Sequence, residues 1–163
     1  MDIKKYIKEI PNFPKEGINF KDIQPLLQDS EAFYDAIYEM GQLVDIEKVD
    51  YFVGIESRGF IFAAALASTN LKGFKMIRKA GKLPDIDQTL YGVEYDLEYG
   101  SAKIEMQSGT GKIVIVDDVF ATGGTIAAAK HLATRSGYQV NDTICLLDIG
   151  IIKDHDTKCL ISY

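Results

Sequence analysis

The sequence predicts an α/β protein built on a central, mostly parallel sheet flanked by helices. Three observations lead there. Residues 112–129 pass from a continuous β-branched run, Ile113 to Val116, through Asp117 and Asp118 into a small-residue turn and an alanine-rich helix. An unbroken apolar run marks a strand buried on both faces, as parallel strands are. Other short apolar runs alternate with helix-period segments, the pattern of strand–helix–strand crossovers. No repeat, low-complexity tract or linker interrupts the 163 residues, so a single domain, 1–163, is expected.

Each element has its own signal. Ile3, Tyr6, Ile7 and Ile10 share a helical face, which predicts a helix over 2–10 stopped by Pro11. Pro11, Pro14, Gly17 and Pro25 predict an ordered loop over 11–25. Helical spacing returns with Phe33, Ile37, Met40 and Val44, behind Asp29 and Ser30 as cap candidates. Tyr51 to Ile55 reads as a strand, Phe60 to Ala67 as a short buried helix, and Phe74 to Arg78 as a strand. Residues 79–92 predict an exposed loop, and Ala102 to Gln107 a bordering strand. After the central strand and helix (112–136), a strand is expected within 139–149 and an edge strand at Cys159–Tyr163.

Composition narrows the function. A formal net charge of −6 argues against a general nucleic-acid or membrane-surface binder, though a local basic group can still hold an anionic substrate. Cys145 and Cys159 have no metal-site spacing and read as buried free thiols of a reducing compartment. No stretch is apolar enough to span a bilayer, and Met-Asp-Ile-Lys-Lys is no signal-peptide core, so a cytoplasmic location is expected. Ser108-Gly109-Thr110-Gly111-Lys112 imitates part of a P-loop but precedes a strand and ends Lys-Ile, so it reads as a turn.

The chemistry should lie at the carboxyl end of the central strand, where ligands of open α/β sheets bind. Gly123 and Gly124 leave backbone N–H groups uncrowded, the following helix adds its positive end, and Thr122 and Thr125 add hydroxyls. That is a phosphate cradle. Asp117 and Asp118 would repel a phosphate but suit vicinal hydroxyls, which donate hydrogen bonds, or an associated cation. A diol beside one phosphate is a ribose 5-phosphate. The plainer alternative is a capped turn with a loop shortened by glycines.

Val-Asp-Asp-Val-Phe-Ala-Thr-Gly-Gly-Thr (116–125) resembles the phosphoribosyl-diphosphate (PRPP) signature of the type I phosphoribosyltransferases. Phe-Pro-Lys-Glu-Gly-Ile-Asn-Phe-Lys-Asp (13–22), Gly-Ile-Glu-Ser-Arg-Gly-Phe (54–60), Ile-Arg-Lys-Ala-Gly-Lys-Leu-Pro (77–84) and Tyr-Asp-Leu-Glu-Tyr-Gly (95–100) are similar to the adenine-specific branch and occur in its order. The resemblance runs from about Ile10 to about Leu147. It implies the type I fold, with a small N-terminal hood (1–25) and a flexible catalytic loop (79–100). It also implies a homodimer, and Mg²⁺ held mainly by substrate and water, with no protein metal site.

The implied reaction joins adenine to PRPP, giving AMP and diphosphate. By resemblance Ala121, Thr122, Gly123, Gly124 and Thr125 hold the 5-phosphate, and Asp117 and Asp118 the ribose. Ser57, Arg58, Arg78, Lys79 and Lys82 face the diphosphate, Lys82 reaching the neighbouring subunit's site, and a cis peptide is expected at Glu56–Ser57. Glu98 takes the purine proton, with Tyr99 and Arg58 beside it in the catalytic group. A carboxylate near its ordinary pKa of about 4 is a weak base, so desolvation on loop closure would have to raise it. Tyr91, Gly92, Tyr95 and Gly100 suit a lid.

Adenine selection falls to Asn19, Phe20, Lys21, Val119 and Phe120, largely through main-chain groups in the first segment. Phe20 and Phe120 can sandwich the ring or belong to the core. Lys21 stands where relatives often carry arginine, and Asn19 where they carry an apolar residue. Alternatives remain: a 6-oxopurine enzyme, which would need a basic side chain after the central helix such as Lys153, or a noncatalytic PRPP-sensing regulator. Taken alone, Arg58 could be an ordinary surface ion pair and Glu98 a solvated acid.

Overall fold

The computed structural model describes residues 1–85, 89–97 and 100–163. They divide into two compact units, Met1–Glu39 and Met40–Tyr163.

In the first unit a 3₁₀ turn, Ile3–Tyr6, precedes strand β1 (Lys8–Pro11), which pairs antiparallel with β2 (Asn19–Asp22). This corrects the expected helix over 2–10 and the loop over 11–25. A nine-residue helix is marginal alone, and here pairing of Lys8–Pro11 with Asn19–Asp22 satisfies the backbone instead. Of the expected face, Ile3 and Ile7 are buried, whereas Ile10 lies exposed on the strand. Helix α1 (Gln24–Gln28) accepts Pro25 in its first turn, where no N–H is needed. Helix α2 (Ser30–Gly41) starts where expected: Asp29 Oδ1 accepts the Glu31 and Ala32 amides at 3.1 and 2.9 Å.

The second unit holds the seven-stranded sheet, in the order β5-β6-β4-β3-β7-β8-β9. Its strands are β3 (Tyr51–Ile55), β4 (Gly73–Lys79), β5 (Leu90–Leu97), β6 (Gly100–Gln107), β7 (Lys112–Phe120), β8 (Gln139–Asp148) and β9 (Lys158–Ser162). β4, β3, β7, β8 and β9 run parallel, and β6 and β5 add an antiparallel edge. Helix α3 (Gly59–Thr69) connects β3 to β4, and α4 (Gly124–Arg135) connects β7 to β8. Val114, Ile115 and Val116 of β7 are fully buried, as a strand covered on both sides must be.

One expectation changes here. The segment anticipated as a flexible loop from 79 to 100 contains β5, whose Tyr91, Val93 and Tyr95 pack on the core with Ile126 and Ala129 of α4. Its side chains alternate against a helix, as those of a half-buried strand do. The P-loop imitation is a turn between β6 and β7, where the Gly109 amide donates to the Ser136 carbonyl at 2.9 Å. Cys145 and Cys159 are opposite each other on β8 and β9, and both are free thiols. No helix among the described residues is long and apolar enough to cross a membrane.

Candidate active site

Three segments meet at the carboxyl ends of β3, β4 and β7. The first is the turn after β7. Gly123, with φ +79°, is the cap residue of α4, so a left-handed conformation open mainly to glycine starts the helix. A Cβ there would meet the Phe120 ring at 3.1 Å, so the ring acts as a floor beneath the turn. Phe120 is buried in the core and stacks on His155 with ring centroids 4.0 Å apart. Phe120 thus supports the turn from below, and Val119 is the more accessible of the two. Ala121, Gly123, Gly124 and Thr125 are partly open and Thr122 is exposed, at the start of a helix whose free N–H groups attract anions.

The second segment is the acid pair. The Asp117 carboxylate accepts the Asp118 amide at 2.9 Å, and Arg58 Nε lies 2.8 Å from Asp118 Oδ2. Among the described residues no donor is aligned on that oxygen as a hydrogen bond, so Arg58 acts there chiefly as a charge. Burial pushes Asp117 well above the usual carboxylate range, and the neighbouring Asp118 charge adds to the rise. Burial also raises Asp118, with the Arg58 guanidinium opposing it. Two adjacent acids in a shielded corner are costly while no ligand donates to them.

The third segment carries cations. Glu56–Ser57 is a cis peptide, as expected, at the start of the turn that leads into α3. Gly59 lets this turn press on β7: a Cβ would come within 2.6 Å of the Val116 carbonyl oxygen and 3.1 Å of Asp117 Oδ1. Ser57 is exposed at the tip. Because β3 and β4 pair with Ile55 opposite Ile77, the next residue, Glu56, arrives beside Arg78. Its carboxylate gathers Lys82 Nζ at 2.7 Å, the Lys79 amide at 2.9 Å and Arg78 Nε at 3.3 Å. These donors hold Glu56 down to about 2, Lys82 contributing most. Lys82 therefore sits on its own chain's Glu56.

Sequence reasoning named the cations but missed Glu56 as their hub. The signal was present in the parallel register, which places the residue after β3 beside the end of β4. It missed the Phe120–His155 support as well, since the loop holding His155 is near only in space.

Asn19, Phe20 and Lys21 belong to the first unit. Asn19 Nδ2 and Lys21 Nζ both contact Glu9, each at 2.8 Å, and the Phe20 ring meets Phe13 edge-on at 5.2 Å. Glu98 and Tyr99 lie outside the described residues. The chain leading to them does not: the Asp96 carbonyl oxygen lies 3.9 Å from where a Cβ on Gly124 would stand, so Asp96 of β5 borders the turn before α4.

Comparison with known proteins gives a concordant result. Residues 19–162 match the model of the phosphoribosyl transferase domain. An adenine phosphoribosyltransferase of Bdellovibrio bacteriovorus is 47% identical, over 100% of both chains. The crystal structure of adenine phosphoribosyltransferase from Thermoanaerobacter pseudethanolicus superposes with a TM-score of 0.90 at 38% identity, covering 99% of this chain and 98% of that one. The Saccharomyces cerevisiae enzyme, complexed with an imino-altritol bisphosphate and adenine, gives 0.89 at 32% identity, covering 98% and 97%. With a parallel sheet, a glycine turn at a helix start and paired acids at one corner, the chain belongs to the phosphoribosyltransferase family, among the adenine phosphoribosyltransferases.

Proposed function

We infer that the protein transfers the 5-phosphoribosyl group of PRPP to adenine, forming AMP and diphosphate. The observation that carries this is the corner where the Ala121–Thr125 turn opens α4 beside Asp117, Asp118 and Arg58. Amides of the turn receive the 5-phosphate, and the acid pair accepts hydrogen bonds from the ribose diol. Ser57, Arg58, Arg78, Lys79 and Lys82 stabilise the charge that develops on diphosphate as its bond to the sugar breaks. Adenine attacks the electron-poor anomeric carbon and yields its ring proton to Glu98, with Tyr99 alongside.

Mg²⁺ accompanying PRPP supplies further neutralisation of the diphosphate. The residues present fit such an ion: Asp117 and Asp118 offer hard carboxylate oxygens that suit the waters of a hydrated cation. Both acids would act mainly on ribose hydroxyls and metal-bound waters.

Base reading at Asn19, Phe20 and Lys21 would use main-chain groups and the Phe20 ring, since the Asn19 amide and Lys21 amine already contact Glu9. Main-chain donors and acceptors separate a 6-amino from a 6-oxo purine, because hydrogen-bond polarity at that position inverts. The 6-oxopurine alternative leans on Lys153, which is solvent-exposed in the connection between β8 and β9. Purified protein given PRPP, Mg²⁺ and single purines should form mononucleotide from adenine in preference to hypoxanthine or guanine. The reverse preference overturns the base assignment.

The same reading includes a homodimer. Ile61 of α3 and Phe74 and Met76 of β4 are exposed apolar side chains, with Phe74 edge-on to Phe60 at 6.0 Å. Neighbouring apolar groups of this kind suit a second copy of the chain. Sedimentation at micromolar concentration should report twice the 18.1 kDa chain mass. A single-chain mass rejects the dimer.

A further inference from the structure

The cations assigned to diphosphate are already engaged by a carboxylate of the same chain. Glu56 has a side chain only 9% exposed and brings together Lys82 Nζ, Arg78 Nε and the Lys79 amide. Two carboxylate oxygens and three donors from one short segment reproduce, with a single negative charge, the arrangement a diphosphate would make with a larger one. We propose that Glu56 is an internal stand-in for diphosphate: it holds these donors before PRPP binds, and the incoming PRPP must displace it to take them. The proposal rests on the assignment of Arg78, Lys79 and Lys82 to the diphosphate.

The surrounding contacts make such an exchange feasible. The Ala80 amide donates to the Lys103 carbonyl at 2.9 Å, and the Gly81 amide to Glu105 Oε2 at 2.9 Å. The turn thus stays tethered to β6 when Glu56 lets go of its donors. Arg78 keeps a second neighbour as well, its guanidinium lying 6.0 Å from the Phe60 ring centroid. Lys82, being about half exposed, can swing away at little packing cost. Whichever subunit's diphosphate takes Lys82, the amine must first leave Glu56.

Two consequences follow. A single carboxylate competes weakly with the multiply charged diphosphate of PRPP but effectively with singly or doubly charged anions, so the cation group discriminates against inorganic phosphate. After transfer, Glu56 recaptures the cations as diphosphate departs, which limits product inhibition. The low titration of Glu56 agrees with its close engagement by these cations.

The rival role is a structural anchor, and the two roles predict opposite signs. Removing a competitor tightens diphosphate binding; removing an anchor loosens it, because the cations lose their arrangement. Inorganic diphosphate would be titrated calorimetrically into wild type, Glu56→Gln, Arg78→Gln and Lys82→Ala. Glu56→Gln should bind about 10-fold more tightly, the scale of one charged hydrogen bond. Its inhibition constant for diphosphate and its KM for PRPP should fall together. Unchanged or weaker binding by Glu56→Gln, with Arg78→Gln and Lys82→Ala still weakened, overturns the stand-in alone. Normal binding by Arg78→Gln and Lys82→Ala overturns the diphosphate assignment beneath it. Should Glu56→Gln fail to fold, Glu56→Asp, one methylene shorter, should tighten binding by a smaller factor, about 3-fold; no tightening there also rejects the proposal.

Discussion

Replacing Asp117 and Asp118 together by asparagine should weaken PRPP binding about 100-fold while raising the melting temperature of the ligand-free protein. The two effects have one cause. Burial raises both carboxyls above their ordinary range, so keeping them ionised opposes folding until a ligand donates to them. The sign follows from proton binding. An acid with a raised folded-state pKa binds more protons folded than unfolded, so stability falls as pH rises from the ordinary carboxylate range through the raised value.

Asparagine nearly matches the shape, and its amide oxygen can still accept the Asp118 backbone N–H now held by Asp117 at 2.9 Å. It carries no charge that needs hydration. The melting temperature should rise by about 2–6 °C at pH 7, the effect of 1–2 kcal/mol in a chain of this size, and the gain should shrink near pH 4. Binding moves the other way. Each hydrogen bond from a hydroxyl to a carboxylate contributes about 1.5–3 kcal/mol, and an amide replaces only part of it. Calorimetric titration of PRPP with Mg²⁺ and thermal melts from pH 4 to 8 check both arms. Unaltered PRPP affinity would remove the pair from ribose recognition.

The second large effect is expected at Glu98. Glu98→Gln should leave PRPP affinity near that of wild type and lower kcat by about 10²–10⁴-fold, the range for a lost general base. Glutamine preserves the size of the side chain but takes up no proton from the purine. Among the described residues before Glu98, β5 packs on α4 through Tyr91 and Tyr95, and Asp96 borders Gly124. Single-turnover kinetics with bound PRPP separate this loss from a change in product release. A normal rate of AMP formation removes Glu98 from the mechanism.

Much of the scaffold is readable from residues alone because its signals are local. The apolar run of β7 has to be covered on both faces, whatever surrounds it. Asp29 caps α2 through amides two and three residues away. Gly123 adopts a backbone angle that other residues rarely take, so the turn before α4 is marked by composition. The N-terminal segment shows where local signals give out. Ile3, Tyr6, Ile7 and Ile10 fit a helical face, yet β2 competes for the same backbone and β1 forms instead. Tyr91 and Tyr95 read from sequence as loop residues, and their place on a strand shows only once α4 supplies the surface they cover.

The amino-acid order by itself determined the parallel core, the glycine turn with its acid pair, and the family, because each resides in contiguous residues. Only the tertiary structure decided how their charges combine. Strand register brings Glu56 to Arg78 and Lys82, helix approach brings Arg58 to Asp118, and ring stacking sets Phe120 beneath Gly123. Electrostatic and packing energies depend on separation in space, and that separation is fixed by the sheet and its helices rather than by position along the chain.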